Sequence, residues 1–149
     1  MLRTNKSNLF FFASFALAAA AATGCESGGV GDPCTPEDEL FDNFSGFSLG
    51  EVNVESRSFQ CETRVCLVYQ LAGDPRDTCH ASSTDPDRIC AEKSEVAERV
   101  YCTCRCDSQG SGFGECECPS GFSCVEVLSQ GDRGVRGSYC VKSETATSG

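Results

Sequence analysis

The chain has 149 residues with 12 basic and 22 acidic side chains, a formal charge of −10, 13 cysteines and no tryptophan. Such an anionic chain repels phosphate backbones, so nucleic acid is not an expected partner.

Residues 9–22, LFFFASFALAAAAA, follow a short segment that carries Arg3 and Lys6 and no acid, the layout of a secretory signal peptide. As a helix this run reaches about 21 Å against a hydrocarbon core of about 30 Å, which makes a permanent membrane span the weaker reading. Small residues fill positions 18–24, so a cut of the A-x-A kind could end at Ala22. The next three residues, Thr23, Gly24 and Cys25, resemble the end of the bacterial lipobox, although Ala22 stands where that motif usually has leucine. The resemblance implies a signal peptide over 1–24, diacylation of the Cys25 sulfur by palmitate-type chains, and Cys25 as the new N-terminus. It places the protein in a bacterial cell envelope, periplasmic or surface-exposed, with the membrane as a partner through the lipid on Cys25. Glu26 is not the Asp associated with inner-membrane retention in some bacteria, so the outer membrane is the expected one. Residues 26–33 would then form a tether of at most about 30 Å, holding the protein at or just above the bilayer.

Without the leader, ten basic and 22 acidic residues remain, a charge of −12, and Val, Ile, Leu and Phe make up 23 of 125 residues. Composition alone would class this chain as disordered. Twelve further cysteines argue otherwise: Cys34, Cys61, Cys66, Cys79, Cys90, Cys102, Cys104, Cys106, Cys116, Cys118, Cys124 and Cys140. In an exported chain this density reads as a disulfide scaffold, each cross-link supplying about 2–4 kcal/mol that a thin core cannot. Twelve can pair completely once Cys25 is committed to lipid, and their connectivity stays open. A cut at residues 91–100 leaves five of them before it and seven after, so complete pairing sends at least one bridge across it. A cut between Cys79 and Cys90 would leave four and eight. One cross-linked domain over 34–142 is the expectation, with no internal repeat.

In chain order, the span from Cys34 to Cys61 begins loop-like, and residues 51–59 alternate Val52 and Val54 with polar side chains as a strand does. Residues 64–71, RVCLVYQL, form an apolar run ended by Gly73, Asp74 and Pro75, a second strand. Residues 91–100 are the most helix-like stretch. In residues 100–106, VYCTCRC, three cysteines recur at period two, so one strand would set them on one face. Residues 124–128 and 138–142 are expected to pair around the Gly-rich loop SQGDRGVRG, and 143–149 to fray as a flexible tail. The fold class is therefore small, disulfide-rich and mainly β, with short strands and hairpins and at most one short helix.

The stretch 116–124, CECPSGFSC, is similar to the closing half of an EGF-like module, although Cys124 follows Gly121 and Phe122 after a single Ser. Taken with the lipobox, the opening GDPCTPEDE and the block YCTCRC…CECPSGFSC, the chain resembles cysteine-rich lipoproteins of the myxobacterial kind. That resemblance implies an envelope location and brings no activity with it.

Catalytic chemistry is poorly provided for. His80 is the only histidine, it directly follows Cys79, and no triad pattern surrounds it; C-x-x-C is absent. Cys102, Cys104, Cys116 and Cys118 could offer four thiolates to zinc, but an oxidising envelope favours disulfides. No metal site or cofactor is expected; calcium remains conceivable at Glu37, Asp38, Glu39 and Asp42 or at Asp74, Asp77, Asp85 and Asp87, neither set having EF-hand spacing. A solvated acidic face is the plainer reading. Two features suit recognition: Phe41, Phe44 and Phe47, either core or a patch presented together, and Arg133 and Arg136 in residues 131–137, either a binding loop or a solvated tip. The chain thus reads as a non-enzymatic, envelope-anchored binding or adhesion module for an envelope protein or glycan. The alternatives are a structural coat lipoprotein without a specific ligand and, at a distance, a thiol-disulfide exchange protein.

Overall fold

The computed structural model describes residues 27–80, 88–108 and 115–146. Cys25, Asp85, Asp87 and residues 147–149 lie outside them. A 3-10 turn at Glu37–Leu40 precedes β1 (Val52–Glu55) and β2 (Val65–Tyr69). Next come the helix α1 (Lys93–Arg99), β3 (Val100–Thr103) and β4 (Arg105–Asp107). The chain then forms β5 (Phe122–Leu128), β6 (Gly137–Lys142) and a single helical turn, α2 (Ser143–Ala146). Two antiparallel three-stranded sheets result, in the orders β1-β2-β3 and β4-β6-β5. The protein is small, disulfide-rich and mainly β.

β2 is the centre of the first sheet, and its near-continuous apolar run has a physical use: both of its faces are covered. Cys66 and Val68 point to one side with Val100 and Cys102 of β3, and there meet Cys34, Phe47, Cys61 and Leu71. Leu67 and Tyr69 point to the other side with Tyr101 and join Val141, Phe122, Val125 and Val127 of the second sheet. The alternation of strand side chains thus divides one short sequence between two cores. Val96 of α1 packs on the first core. The seven residues KSEVAER are too few to hold a helix alone, so this packing sustains it.

Six disulfides close the scaffold. Cys34–Cys66, Cys61–Cys102 and Cys79–Cys90 lie within residues 34–102, and it is Cys61–Cys102 that crosses the helix. Cys104–Cys116, Cys106–Cys124 and Cys118–Cys140 lie within residues 104–140. The two sets meet at Thr103, whose hydroxyl donates to the Cys140 carbonyl at 2.6 Å. Cys116, Cys118 and Cys124, all within residues 116–124, are therefore bonded outside that stretch.

Three expectations need correction. The single strand over 100–106 is two strands in different sheets: the chain leaves the first sheet at Cys104, whose carbonyl accepts from Cys140 N at 3.0 Å and hands the strand to β6. Each of the three cysteines consequently finds its partner on a different neighbour. Residues 143–146 do not fray, because Ser143 N donates to Gly121 O at 2.9 Å and Thr145 is buried. Nor are residues 28–32, expected to lie in a free tether, separate from the scaffold. Gly28 N donates to Gln60 O at 2.8 Å, Gly31 N to Cys102 O at 2.8 Å, and Cys102 N to Asp32 O at 2.7 Å, so residues 28–32 are laced onto the scaffold. The expected hairpin of β5 and β6 forms with Cys124 opposite Cys140.

Candidate binding surface

Asp74 follows Gly73 in the turn after β2 and lies fully buried. Its backbone is fixed first, by Asp74 N donating to Ile89 O at 2.8 Å and by Ala91 N donating to Asp74 O at 3.0 Å, a bridge that Cys79–Cys90 closes covalently. Its carboxylate then gathers two guanidinium groups. Arg76 donates from Nε to Oδ1 at 3.0 Å and from Nη2 to Oδ2 at 2.8 Å, and Arg88 Nη2 donates to Oδ2 as well. Burial raises the Asp74 pKa, but the hydrogen bonds from Arg76 and Arg88 outweigh it and hold the group at about 2. A cation at Asp74 would have to displace both guanidinium groups.

Arg76 extends this hub to the preceding segment. Its Nη2 donates to Phe44 O at 2.7 Å, its Nη1 to Glu39 O and Phe41 O at 3.4 Å each, and its guanidinium lies 5.1 Å from the Phe44 ring centroid. Phe44 meets Phe47 edge to face at 4.9 Å. Phe47 in turn exchanges backbone hydrogen bonds with Gly73 at 2.9 and 2.8 Å. That close approach requires glycine at position 46, where φ is 107° and a Cβ would stand 2.6 Å from the Gly73 carbonyl carbon.

The three phenylalanines line one groove but are buried to different depths. Phe47 belongs to the core, Phe44 is half-buried against it, and Phe41 is 54% exposed beside Leu40 at 74%. Leu40 and Phe41 form an apolar rim on a segment held from beneath by Arg76. That groove, of about 310 Å³, opens at Phe41 and is lined, besides the three phenylalanines, by Asp38, Asn43, Ser45 and Glu51. A second, of about 420 Å³, opens at Leu40 beside Thr35, Glu39, Thr78 and Val96. Burial, together with the Asp74 charge and against the attraction of Arg76, raises the Glu39 pKa to about 7. Sequence reasoning missed the hub, because nothing in the pattern Gly-Asp-Pro-Arg distinguishes a buried ion pair from a solvated turn.

The other candidates take simpler places. Asp38 accepts from Asn53 Nδ2 at 2.5 Å, Asp42 is exposed, and Asp77 pairs with Lys93 at the surface at 2.8 Å. Cys102, Cys104, Cys116 and Cys118 are consumed by three different disulfides and offer no thiolate set. Residues 131–137 are a compact turn: Asp132 Oδ1 accepts from Gly134 N at 2.8 Å, and Arg105 Nη1 donates to the carbonyls of Arg133, Gly134 and Arg136 at 3.2, 3.1 and 3.4 Å. Arg133 is exposed and Arg136 half-buried. His80 is exposed.

The class these observations define is that of small disulfide-rich β proteins with an apolar rim over two shallow grooves. No protein-family model matches the chain, and neither a curated protein nor a solved structure proved similar to it. Among the described residues no helix is long and apolar enough to cross a membrane.

Proposed function

We propose that this is an envelope lipoprotein, anchored through acyl chains on Cys25, that presents a cysteine-rich binding module close to the membrane. The observation that carries the binding role is the rim of Leu40 and Phe41, left in solvent on a segment that Arg76 and two neighbouring disulfides immobilise. Large exposed apolar groups on a preorganised loop are a recurrent mark of recognition. The groove at Phe41 combines an aromatic ring with Asp38, Asn43, Ser45 and Glu51, and this composition suits a glycan: the ring covers a sugar face while the carboxylates and amide meet its hydroxyls. Isothermal titration with solubilised envelope polysaccharide tests it. Phe41→Ala is expected to weaken binding about tenfold, the effect of removing one aromatic anchor. Unchanged affinity in that variant, with loss in Arg133→Ala/Arg136→Ala, would transfer the site to the turn at 131–137. The anchor is tested separately by the intact mass of detergent-extracted protein, expected to begin at Cys25 with acyl mass.

Thiol-disulfide exchange is a second reading, supported by sulfur contacts in the 104–140 set. Cys104 Sγ and Cys116 Sγ each lie 3.7 Å from Cys140 Sγ, and the Cys104–Cys116 bridge lines a groove with Ser56, Thr63, Arg105 and Tyr139. A small thiolate attacking Cys116 would form a mixed disulfide there and expel the Cys104 thiolate. Attack of Cys104 on Cys140 would then form a Cys104–Cys140 bond and expel the Cys118 thiolate, one S–S bond forming for each one broken. Treatment with glutathione, quenching with iodoacetamide and peptide mapping should find glutathione on Cys116 and alkylation on Cys118. An intact Cys118–Cys140 bond beside an opened Cys104–Cys116 would sink this reading.

A further inference from the structure

The connection between β1 and β2, residues 56–64, holds Arg57, Phe59 and Arg64 against one acid, Glu62, so it is locally basic in a protein of net charge −10. Phe59 is 79% exposed, and the Arg64 guanidinium lies 4.3 Å from its ring centroid. That stack is built into the backbone. Arg64 has φ 65°, a region non-glycine residues rarely adopt, and it is held there by Arg64 N donating to Cys61 O and Ser58 N donating to Arg64 O, both at 3.0 Å. Cys61 is itself bonded to Cys102 in the core.

The same connection receives the N-terminal segment. Gly28 N donates to Gln60 O at 2.8 Å, and Glu62 N donates to Gly28 O at 2.9 Å. Gly28 is the third residue after Cys25, so the chain between them spans at most about 11 Å. A lipid on Cys25 would therefore bring residues 59–62 to the bilayer surface whatever path the intervening residues take.

We propose that residues 56–64 are the membrane-contacting face of the anchored protein, with Phe59 in the bilayer interface and Arg57 and Arg64 on lipid phosphates. The occupant is the membrane that holds the Cys25 acyl chains, so the inference rests on the anchor proposed above. Aromatic rings settle at the headgroup level, and guanidinium groups pair with phosphate through two parallel hydrogen bonds. An otherwise acidic protein held this close to an anionic surface is stabilised in the orientation that turns its basic connection downward. Among the large apolar residues that are exposed in the described parts, Phe59 is the one carried by the connection that clasps Gly28.

The chain contains no tryptophan, so Phe59→Trp installs a single reporter at a solvent-exposed position. The lipidated variant is reconstituted into vesicles of phosphatidylethanolamine and phosphatidylglycerol, with and without brominated acyl chains, and its acylation is checked by intact mass. The indole at position 59 is expected to shift its emission to the blue and lose about half its intensity to the brominated lipid. Adding Arg57→Ser/Arg64→Ser should abolish most of that loss, and full quenching in that background overturns the phosphate contact. Emission that stays water-like in a protein carrying acyl mass overturns the membrane face while leaving the anchor intact. Absence of acyl mass overturns the anchor and the membrane face together.

Discussion

Cys61→Ala/Cys102→Ala is expected to destabilise the oxidised protein by about 4 kcal/mol, the chain-entropy value for a closed loop of this length. The bridge spans a sequence separation of 41, the longest of the six. Its position adds to that value, since both sulfurs are fully buried in the first core beside Cys34, Cys66 and Val100. It also fixes β3 against the connection that carries Gln60 and clasps Gly28. By contrast, Cys79→Ala/Cys90→Ala opens a separation of 11 between two half-buried residues and is expected to cost about 3 kcal/mol. Urea unfolding of the two variants, followed by far-ultraviolet circular dichroism with all remaining bridges intact, measures the difference. A larger loss from the Cys79 and Cys90 pair would show that packing around Asp74, and not loop closure, dominates.

Asp74→Ala is expected to cost about 3 kcal/mol, because it leaves two guanidinium groups facing each other across a site built for a carboxylate. Arg76 and Arg88 keep 20% and 28% of their side-chain surface, whereas Asp74 keeps none. The loss should extend beyond the site: with Arg76 released, the carbonyls of Glu39, Phe41 and Phe44 lose the guanidinium donor that ties them together, and the Leu40 and Phe41 rim loses its support. Polysaccharide affinity should therefore fall with stability in this variant, unlike in Phe41→Ala, where affinity falls alone. The same hub sets two opposite pH dependences. Asp74 has its pKa lowered from 3.8 to about 2, so its contribution is complete above 3.8 and disappears as pH falls through about 2. Glu39 has its pKa raised from 4.5 to about 7, so the folded state binds a proton that the unfolded state has released, and stability declines from pH 4.5 up to about 7. Glu39→Gln should match the parent protein near pH 4 and exceed it at pH 8 in urea midpoint. Equal midpoints at both values would show that Glu39 titrates as a free surface carboxylate.

Much of the architecture was legible because its signals are local. Val52 and Val54 alternate with polar residues and form β1; the apolar run of β2 stops at the turn before Asp74; β5 and β6 close around a glycine-rich loop. Where contacts are long-range, the reading thinned. Residues 100–106 carry an unbroken period of two, yet the chain changes sheets at Cys104, because the alternation of a strand says which side chains share a face and nothing about which neighbour that face meets. The phenylalanines at 41, 44 and 47 have equal spacing and unequal fates, decided by Arg76 and Gly73 reaching in from thirty residues away. Arg64 and Phe59 have no sequence signal at all, since a positive φ at arginine arises only from the turn that Cys61 anchors.

By itself the sequence determined the composition class, the dependence on cross-links and the strand content, because each follows from counts and short-range periodicity. Twelve cysteines permit more than about 10,000 pairings, and spacing does not choose among them. Tertiary structure made that choice, dividing the bridges into two sets at Thr103, burying Asp74 between Arg76 and Arg88, and leaving Leu40, Phe41 and Phe59 in solvent. The reason is that burial and pairing are properties of surfaces that meet only once the chain has folded.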